Sequence, residues 1–170
     1  ALDRLQKALQ TVDDSGGFRL RCTDQLTALH IQAVANLPWD KTRVAHYLFS
    51  QNERTDRDLY PAIPGDYAPS LGEQGMQAYY DLARRAWDAL PPARSNMEWE
   101  QRYPQLRLGH FLLEWAEAHH DFEAALAIKL KQAVERWDYV RITEYCIEHQ
   151  QWVHAKRWLA KVKTFKHEEN

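Results

Sequence analysis

Two stretches of the chain, LLEWAEAHHDFEAA at positions 112–125 and ITEYCIEHQQWVHA at positions 142–155, follow one pattern, in which the numbers of matched positions differ by 30. Each copy has apolar residues at helical spacing, then a polar turn, then an aromatic residue with Ala three positions later. The polar turns are His119-His120-Asp121 and His149-Gln150-Gln151. The matched positions are Leu112, Trp115, Ala116, His119, Phe122 and Ala125 in the first copy, and Ile142, Tyr145, Cys146, His149, Trp152 and Ala155 in the second. The pattern therefore predicts an αα-hairpin that occurs twice.

An αα-hairpin alone cannot bury its apolar face, so repeated hairpins have to stack on one another. The sequence therefore predicts an all-α fold of stacked αα-hairpins, a short right-handed superhelix of the tetratricopeptide-like kind with about eight helices. Its clearest repeats are residues 108–135 and 138–163, and we expect one helical-repeat domain over residues 1–170. Stacks of this kind usually bind other proteins.

Composition and charge limit the classes of function. With 24 acidic and 22 basic residues, the chain carries a net charge of −2, which gives no overall attraction to nucleic acid or to an anionic membrane. No apolar run approaches the roughly 18 to 20 residues of a membrane span. The two cysteines, Cys22 and Cys146, provide neither a disulfide framework nor a cysteine-based zinc site. We therefore expect a reduced, cytoplasmic protein that does not attach to membranes.

Upstream of the repeats, helical spacing and cap residues predict four more helices. They cover residues 2–12, 18–36, 41–51 and 70–90, with Asp40 as the N-cap of the third and a Ser70-to-Glu73 capping box at the start of the fourth. Prolines and glycines interrupt the helical period between them, where Leu59, Tyr60, Ile63 and Tyr67 indicate a loop that packs on the body. Residues 93–103 are predicted to form a loop or short helical turn before a helix that begins at Pro104.

Three pieces of the chain carry a family resemblance. The first is the Leu-rich segment Leu2 to Gly17, which ends in DDSGG, and the third runs from Asp121 to Leu159, where Tyr139-Val140-Arg141-Ile142 is similar to the Y-x-x-I start of a last repeat. The second follows the pattern Y-A-x-x-L-G-x-x-G-x-x-x-Y-x-x-L-A-x-x-A-W with Tyr67-Ala68, Leu71-Gly72, Gly75, Tyr79, Leu82-Ala83 and Ala86-Trp87. Together they resemble the helical C-terminal region of bacterial SWIM zinc-finger proteins and related bacterial proteins, whose repeats are tetratricopeptide-like.

The resemblance implies the C-terminal, all-helical part of a longer protein, a region that accompanies a zinc-binding module. The zinc motif itself, C-x-C followed by C-x-H, is absent from this sequence, so its DNA- or protein-binding role is assigned to no residue here. A tetratricopeptide unit has about 34 residues. The repeat departs from that unit because its matched positions differ by only 30 in number. Leu113 and Thr143 stand where that unit has a small residue, and its closing proline is missing.

Histidines and cysteines are the residues most open to a catalytic or metal-binding interpretation. His119, His120, His149 and His154 cluster in the sequence, but His149 and His154 are five residues apart, whereas ligands on one helix face need a spacing of three or four. We interpret His119 and His149 as residues whose ring N–H meets the last carbonyls of a helix. Cys22 and Cys146 lie on apolar helix stripes, which favours a small hydrophobic role over a reactive thiol. We predict no catalytic, metal-binding or cofactor-binding residue, no cofactor and no enzymatic activity.

Basic residues gather at the end of the chain, at Lys156, Arg157, Lys161, Lys163 and Lys166. One interpretation is a nucleic-acid-binding face. The other is a solvated face of the last helix, since cations near a helix C-terminus are favoured by the macrodipole and a terminal repeat needs a polar exterior. We favour the second interpretation.

A helical wheel of the last helix places Trp152, Ala155, Leu159 and Val162 on the arc that packs on the previous helix. Trp158, Val162 and Phe165 then form an apolar edge where another hairpin would stack, and we expect self-association or a protein partner there. We also expect Phe122 and Trp152 to be buried near Trp115 and Tyr145, so that replacing Trp152 by Ala lowers the melting temperature sharply.

These observations favour a non-catalytic protein-interaction or scaffolding module of a larger cytoplasmic bacterial protein. The alternative is a nucleic-acid-binding accessory region that acts through the basic last helix. An enzyme of unrecognised type is the third hypothesis, which a pocket with several converging ionisable groups would favour.

Overall fold

The structure is a computed structural model that describes residues 18–54 and 64–165. In these ranges all regular secondary structure is helical, with seven α-helices, one short 3-10 helix and no strand, which confirms the predicted all-α class. The helices are α1 (Phe18–Ala35), α2 (Lys41–Arg54), α3 (Ala68–Ala89), α4 (Trp99–Ala118), α5 (Phe122–Gln132), α6 (Arg136–Glu148) and α7 (Trp152–Thr164), with the 3-10 helix at Gly65–Tyr67. Some predictions fall on residues outside these described ranges. They are the helix over residues 2–12, the first piece of the family resemblance, and the roles of Leu59, Tyr60, Ile63 and Lys166.

The chain divides into two compact units, residues 1–82 and residues 83–170. In the first unit, α1 ends at Ala35, just before Pro38, and Asp40 caps α2 through a 2.8 Å bond that its carboxylate accepts from the backbone N–H of Arg43. Both the helix over residues 18–36 and the Asp40 cap are thereby confirmed. Buried apolar side chains from α1, α2 and α3 supply the interior of this unit, at Val34, Val44, Ala45, Leu48, Phe49, Leu71 and Tyr79.

A histidine lies in the interior of the first unit and joins three of its helical segments. His30 of α1 is 4% exposed, and its two ring nitrogens lie 2.6 Å from the hydroxyl of Tyr67 and 3.0 Å from the hydroxyl of Tyr47. Burial lowers the pKa of His30 below the ordinary value of 6.5, because a charged ring would lose its hydration. Tyr67 itself is fully buried, which confirms that this end of the irregular segment packs on the body.

The start of α3 differs from the prediction. Gly72 takes φ +60° and ψ −174°, a conformation that residues with a side chain rarely adopt, and the helical path breaks there. A Ser70-to-Glu73 capping box needs helical backbone at residues 71–73, so that part of the prediction is wrong. Ser70 instead contributes its carbonyl oxygen, which accepts a 2.5 Å bond from the ammonium group of Lys41.

In the second unit, α4 begins at Trp99, five residues before the predicted start at Pro104. Pro104 therefore lies inside the helix, where it lacks the N–H that would bond the preceding turn. Close packing accompanies this helix at Gly109, where an added Cβ would lie 3.1 Å from the ring of Trp87 and would overlap the side-chain amide of Gln132. The helix start was misplaced because Pro at N1 is only a preference, which tertiary packing overrides.

Candidate interaction surface

Helices α4 and α5 form one αα-hairpin and α6 and α7 form a second, joined by the two turns that the sequence predicts. In both turns, the middle residue has positive φ, 55° at His120 and 58° at Gln150. The residue after it donates a backbone bond of 2.8 Å to the helix, from Asp121 to the carbonyl of Ala116 and from Gln151 to that of Cys146. The N–H groups of His120 and Gln150 also donate to the carbonyls three residues earlier, at 3.1 Å and 2.9 Å. The two bonds together make the Schellman motif, which recurs in both copies of the sequence repeat.

The two repeat-equivalent histidines act as helix C-terminal residues. The Nδ1 atom of His119 lies 2.7 Å from the carbonyl oxygen of Trp115, and that of His149 lies 2.9 Å from the carbonyl oxygen of Tyr145. Because a carbonyl only accepts, Nδ1 carries the proton and donates in both cases. Each imidazole also packs on the ring four residues earlier, at centroid distances of 4.5 Å and 4.2 Å. The structural interpretation of both histidines is confirmed.

The interface between the two hairpins is built mainly from one side of α5. The ring of Phe122 stacks on that of Tyr145, with a centroid distance of 5.5 Å and an interplanar angle of 5°. The ammonium group of Lys129 lies 4.3 Å above the opposing tyrosine ring, and the carboxylate of Glu123 lies 3.4 Å from the imidazole of His154. Leu126 completes this side of α5 in an apolar cluster with Ile142, Cys146 and Ala155. Phe122 therefore packs on the next hairpin, whereas we expected it near Trp115 of its own.

Repeat equivalence shows which residues of the second hairpin would face a further unit. Adding 30 to the four α5 positions gives Trp152, Val153, Lys156 and Leu159 of α7, and Glu117, which lies 3.9 Å from Lys129, corresponds to Ile147. The four apolar side chains among these are exposed, with 45% for Ile147, 57% for Trp152, 81% for Val153 and 47% for Leu159. We call these five residues the end face.

The orientation of the end face follows from contacts on the same helices. His154 of α7 faces the first hairpin through Glu123, and Trp152 lies two residues earlier, about 160° away around the helix. On α6, Tyr145 faces the first hairpin, and Ile147 lies about 160° away by the same spacing. The end face therefore points away from the first hairpin.

The expected burial of Trp152 and Leu159 is wrong. The arc of α7 that enters the interior contains Ala155 and Val162, and it extends towards Trp158 instead of Trp152. The physical reason is that Trp152 occupies the position of Phe122, whose ring stacks on Tyr145 of the following hairpin. An apolar residue at this position is buried only where another unit packs on it.

The apolar edge predicted at Trp158, Val162 and Phe165 also lies elsewhere than expected. Val162 is buried with 6% exposure, and Trp158 and Phe165 are half-buried. Their two rings lie 6.0 Å and 5.6 Å from the ring of Tyr139 on α6. Trp158, Val162 and Phe165 therefore contribute to packing within the second hairpin. The buried side of α7 is centred closer to these residues than the helical wheel predicted.

The predicted basic face is divided between two environments. The guanidinium of Arg157 lies 4.8 Å above the ring of Trp158, and the ammonium of Lys161 lies 5.3 Å above that of Phe165. Lys156 and Lys163 are exposed and lie about 20° apart on one side of the helix, seven residues from each other. Lys156 belongs to the end face, so positive charge accompanies its apolar side chains.

Other features of the described residues offer little for chemistry. A surface pocket of about 470 Å³ is lined mainly by Val134, Arg136, Trp137 and Phe165, with Glu135 as its other charged residue. In residues 18–54 and 64–165, no group of three or more His, Cys, Asp and Glu side chains is placed to hold a metal ion. Cys146 is fully buried in an apolar cluster, which raises the pKa of its thiol and confirms the hydrophobic role predicted for it.

No helix in the described part of the chain is both long enough and apolar enough to cross a membrane. Comparison with known proteins finds no matching family model, no matching curated protein and no matching solved structure.

Proposed function

We propose that this chain is a non-catalytic protein-interaction or scaffolding module and that it binds its partner through the end face. One observation carries the proposal. The second hairpin has the same turns as the first, yet Trp152, which corresponds to the Phe122 that stacks on the neighbouring hairpin, is exposed, and so are the apolar side chains of Ile147, Val153 and Leu159.

The composition of the end face supports partner binding over simple solvation. Where the first hairpin places the ion pair of Glu117 and Lys129, the second has Ile147 and Leu159, so the outer position has become more apolar. Large exposed apolar side chains grouped on one side of a structure mark interaction sites, whereas a solvated terminal repeat would have a polar outer face. Trp is also among the residues that most often dominate binding energy at interfaces.

The wider assignment follows the family resemblance and the cysteine content. We infer a short tetratricopeptide-like superhelix in the C-terminal part of a larger bacterial protein, accompanying a zinc-binding module of the SWIM type. A cytoplasmic location is supported by two cysteines that are both free, one of them buried.

A photo-crosslinking experiment tests the proposal. A photoreactive residue at Val153 samples the end face, and the same residue at His110, a similarly exposed position on α4, is the matched control. We expect one protein to be captured from Val153 and not from His110, and the purified protein should then bind the chain directly. Capture that is equal from both positions, or absent from both, would contradict the proposal.

Nucleic-acid binding through the last helix is the alternative, and the exposure of Lys156 and Lys163 on one side of α7 favours it. Salt dependence separates the two functions. Each phosphate neutralised by a lysine contributes a slope of about −0.7 to −0.9 to the plot of log affinity against log salt concentration. An oligonucleotide that binds with such a slope, and loses affinity with Lys156→Ala and Lys163→Ala, would favour the alternative.

A further inference from the structure

The interface between the two hairpins shows what kind of surface the end face is built to receive. In that interface, α6 lays Tyr145 onto Phe122 of α5, beneath the ammonium of Lys129. The positions three before and one after the tyrosine, Ile142 and Cys146, meet Leu126. The central contact is thus an aromatic residue of the neighbouring helix, Tyr145, which stacks on Phe122. The residues three before and one after Tyr145 pack with Leu126, which lies four residues after Phe122.

The end face and the adjacent Lys163 differ in charge from this arrangement at three positions. Leu126, which is buried at the hairpin interface, corresponds to exposed Lys156. Ala133, which packs against the same apolar cluster, corresponds to exposed Lys163. Lys129, the cation above the tyrosine ring, corresponds to Leu159. At the end face, the position beside the aromatic contact is therefore uncharged Leu159. The positive charge lies instead on Lys156 and Lys163, at the positions that face the residues flanking the aromatic contact.

From these equivalences we propose that the end face binds an acidic amphipathic helix of a partner protein. An aromatic residue of that helix stacks on Trp152, and carboxylates at the positions three before and one after the aromatic residue pair with Lys156. This inference rests on the proposed function and adds the chemistry of the partner. Trp152 and Leu159 supply the apolar seat for the aromatic ring. Lys156, with Lys163 seven residues further along the same side, favours carboxylates and disfavours cations at the flanking positions.

The same charges argue against a second copy of this chain as the occupant. A two-fold interface places the same patch of both copies together, so Lys156 and Lys163 of one copy would lie close to those of the other. Like charges brought together at an interface oppose binding. A helix that supplies carboxylates has no such penalty.

Peptides based on α6 provide a direct probe, because α6 is the helix that occupies the equivalent site of the first hairpin. The acidic probe is a fluorescent peptide of residues 136–149 with Ile142→Glu and Cys146→Glu, and the matched control carries Ile142→Lys and Cys146→Lys. A third peptide adds Tyr145→Ala to the acidic probe. Binding of each peptide to the full chain is measured by fluorescence anisotropy at moderate salt.

We expect the acidic peptide to bind at least about tenfold more tightly than the basic peptide and than the peptide without the tyrosine. In the full chain, Trp152→Ala should weaken binding of the acidic peptide at least about tenfold. A fourth peptide keeps the natural Ile142 and Cys146; the unsubstituted chain should bind it less tightly than the acidic peptide, and the Lys156→Leu variant should bind it more tightly than the acidic peptide. Melting curves of both variants check that they fold, which their exposed positions favour.

Equal binding of the acidic and basic peptides, or binding of neither, would overturn the inference. Dimers in sedimentation experiments that Trp152→Ala abolishes would also overturn it, in favour of a second copy. Failure of the peptides while Val153 still captures a specific protein would leave the proposed function standing and reject only the acidic-helix partner. Failure of both experiments would reject both.

Discussion

Phe122 and Trp152 occupy equivalent positions in the two hairpins, so the same substitution at each tests the difference between a covered and an uncovered repeat position. Phe122 is half-buried and stacks on Tyr145, whereas Trp152 is 57% exposed. We expect Phe122→Ala to destabilise the chain much more than Trp152→Ala. The larger residue would then be the less important one for folding.

The magnitudes follow from burial. Replacing a buried Phe by Ala costs roughly 3–5 kcal/mol, and a half-buried ring contributes about half of that. A stacked aromatic pair adds about 0.5–1.5 kcal/mol. The expected loss for Phe122→Ala is therefore about 2–4 kcal/mol, against about 0.5 kcal/mol for a surface substitution such as Trp152→Ala. In a chain of this size, each kcal/mol lowers the melting temperature by about 2–4 °C.

Circular dichroism during thermal and urea unfolding measures both variants beside the unsubstituted chain. We expect the thermal midpoint of Phe122→Ala to fall by about 4–16 °C, and that of Trp152→Ala by no more than about 2 °C. An equal loss for the two variants would show that Trp152 is covered within the isolated chain. That result would refute the assignment of the end face.

Three further predictions concern the turns and the buried histidine. The carboxylate of Asp121 caps α5 by accepting a 3.0 Å bond from the N–H of Ala124, whereas Gln151 makes no side-chain cap bond to the described part of α7. In urea unfolding, Asp121→Ala should therefore cost about 1 kcal/mol, and Gln151→Asp should stabilise the chain by about 0.5–1 kcal/mol. A loss of stability with Gln151→Asp would contradict this. Gln150 has φ 58°, a conformation that costs a residue with a side chain about 1–2 kcal/mol. Gln150→Gly should therefore increase the free energy of unfolding by a net amount of about 0.5–1 kcal/mol and raise the melting temperature. No gain would mean that the glutamine side chain offsets the strain. The folded-state pKa of His30 lies below its unfolded value of 6.5, so its contribution to stability is complete above that pH and is lost as the pH falls from 6.5 through the folded-state pKa. Urea unfolding between pH 7.5 and pH 5 should show this acid loss in the unsubstituted chain and a smaller loss in His30→Gln; parallel curves would assign the loss to other groups.

The basic residues were only a partial guide to the candidate site. The basic cluster at residues 156–163 was visible in the sequence, but the sequence did not show that Arg157 and Lys161 lie over aromatic rings while Lys156 faces outward. The end face itself could have been found by comparing the repeats position by position, since Phe122 and Trp152 align in the sequence. That comparison lacked the orientation of α5, which is fixed by its contacts with Tyr145.

The sequence by itself determined the features that arise from neighbouring residues. Helical spacing, the Asp40 cap, the two turns and the bonds from His119 and His149 to carbonyls four residues earlier all depend on short segments whose geometry is set by local hydrogen bonds. The turns and the histidine bonds recur faithfully in the second hairpin because the same local bonds form in each copy.

The tertiary structure alone decided which apolar residues are covered. Helical periodicity places Trp152 and Trp158 on the apolar side of α7, but it does not distinguish the side that meets its own hairpin from the side that would meet a neighbour. That difference is set by the packing of α5 on α6 and α7, between residues distant in sequence. Gly72 and Pro104 are two further positions where the structure departs from the local preference for where a helix begins.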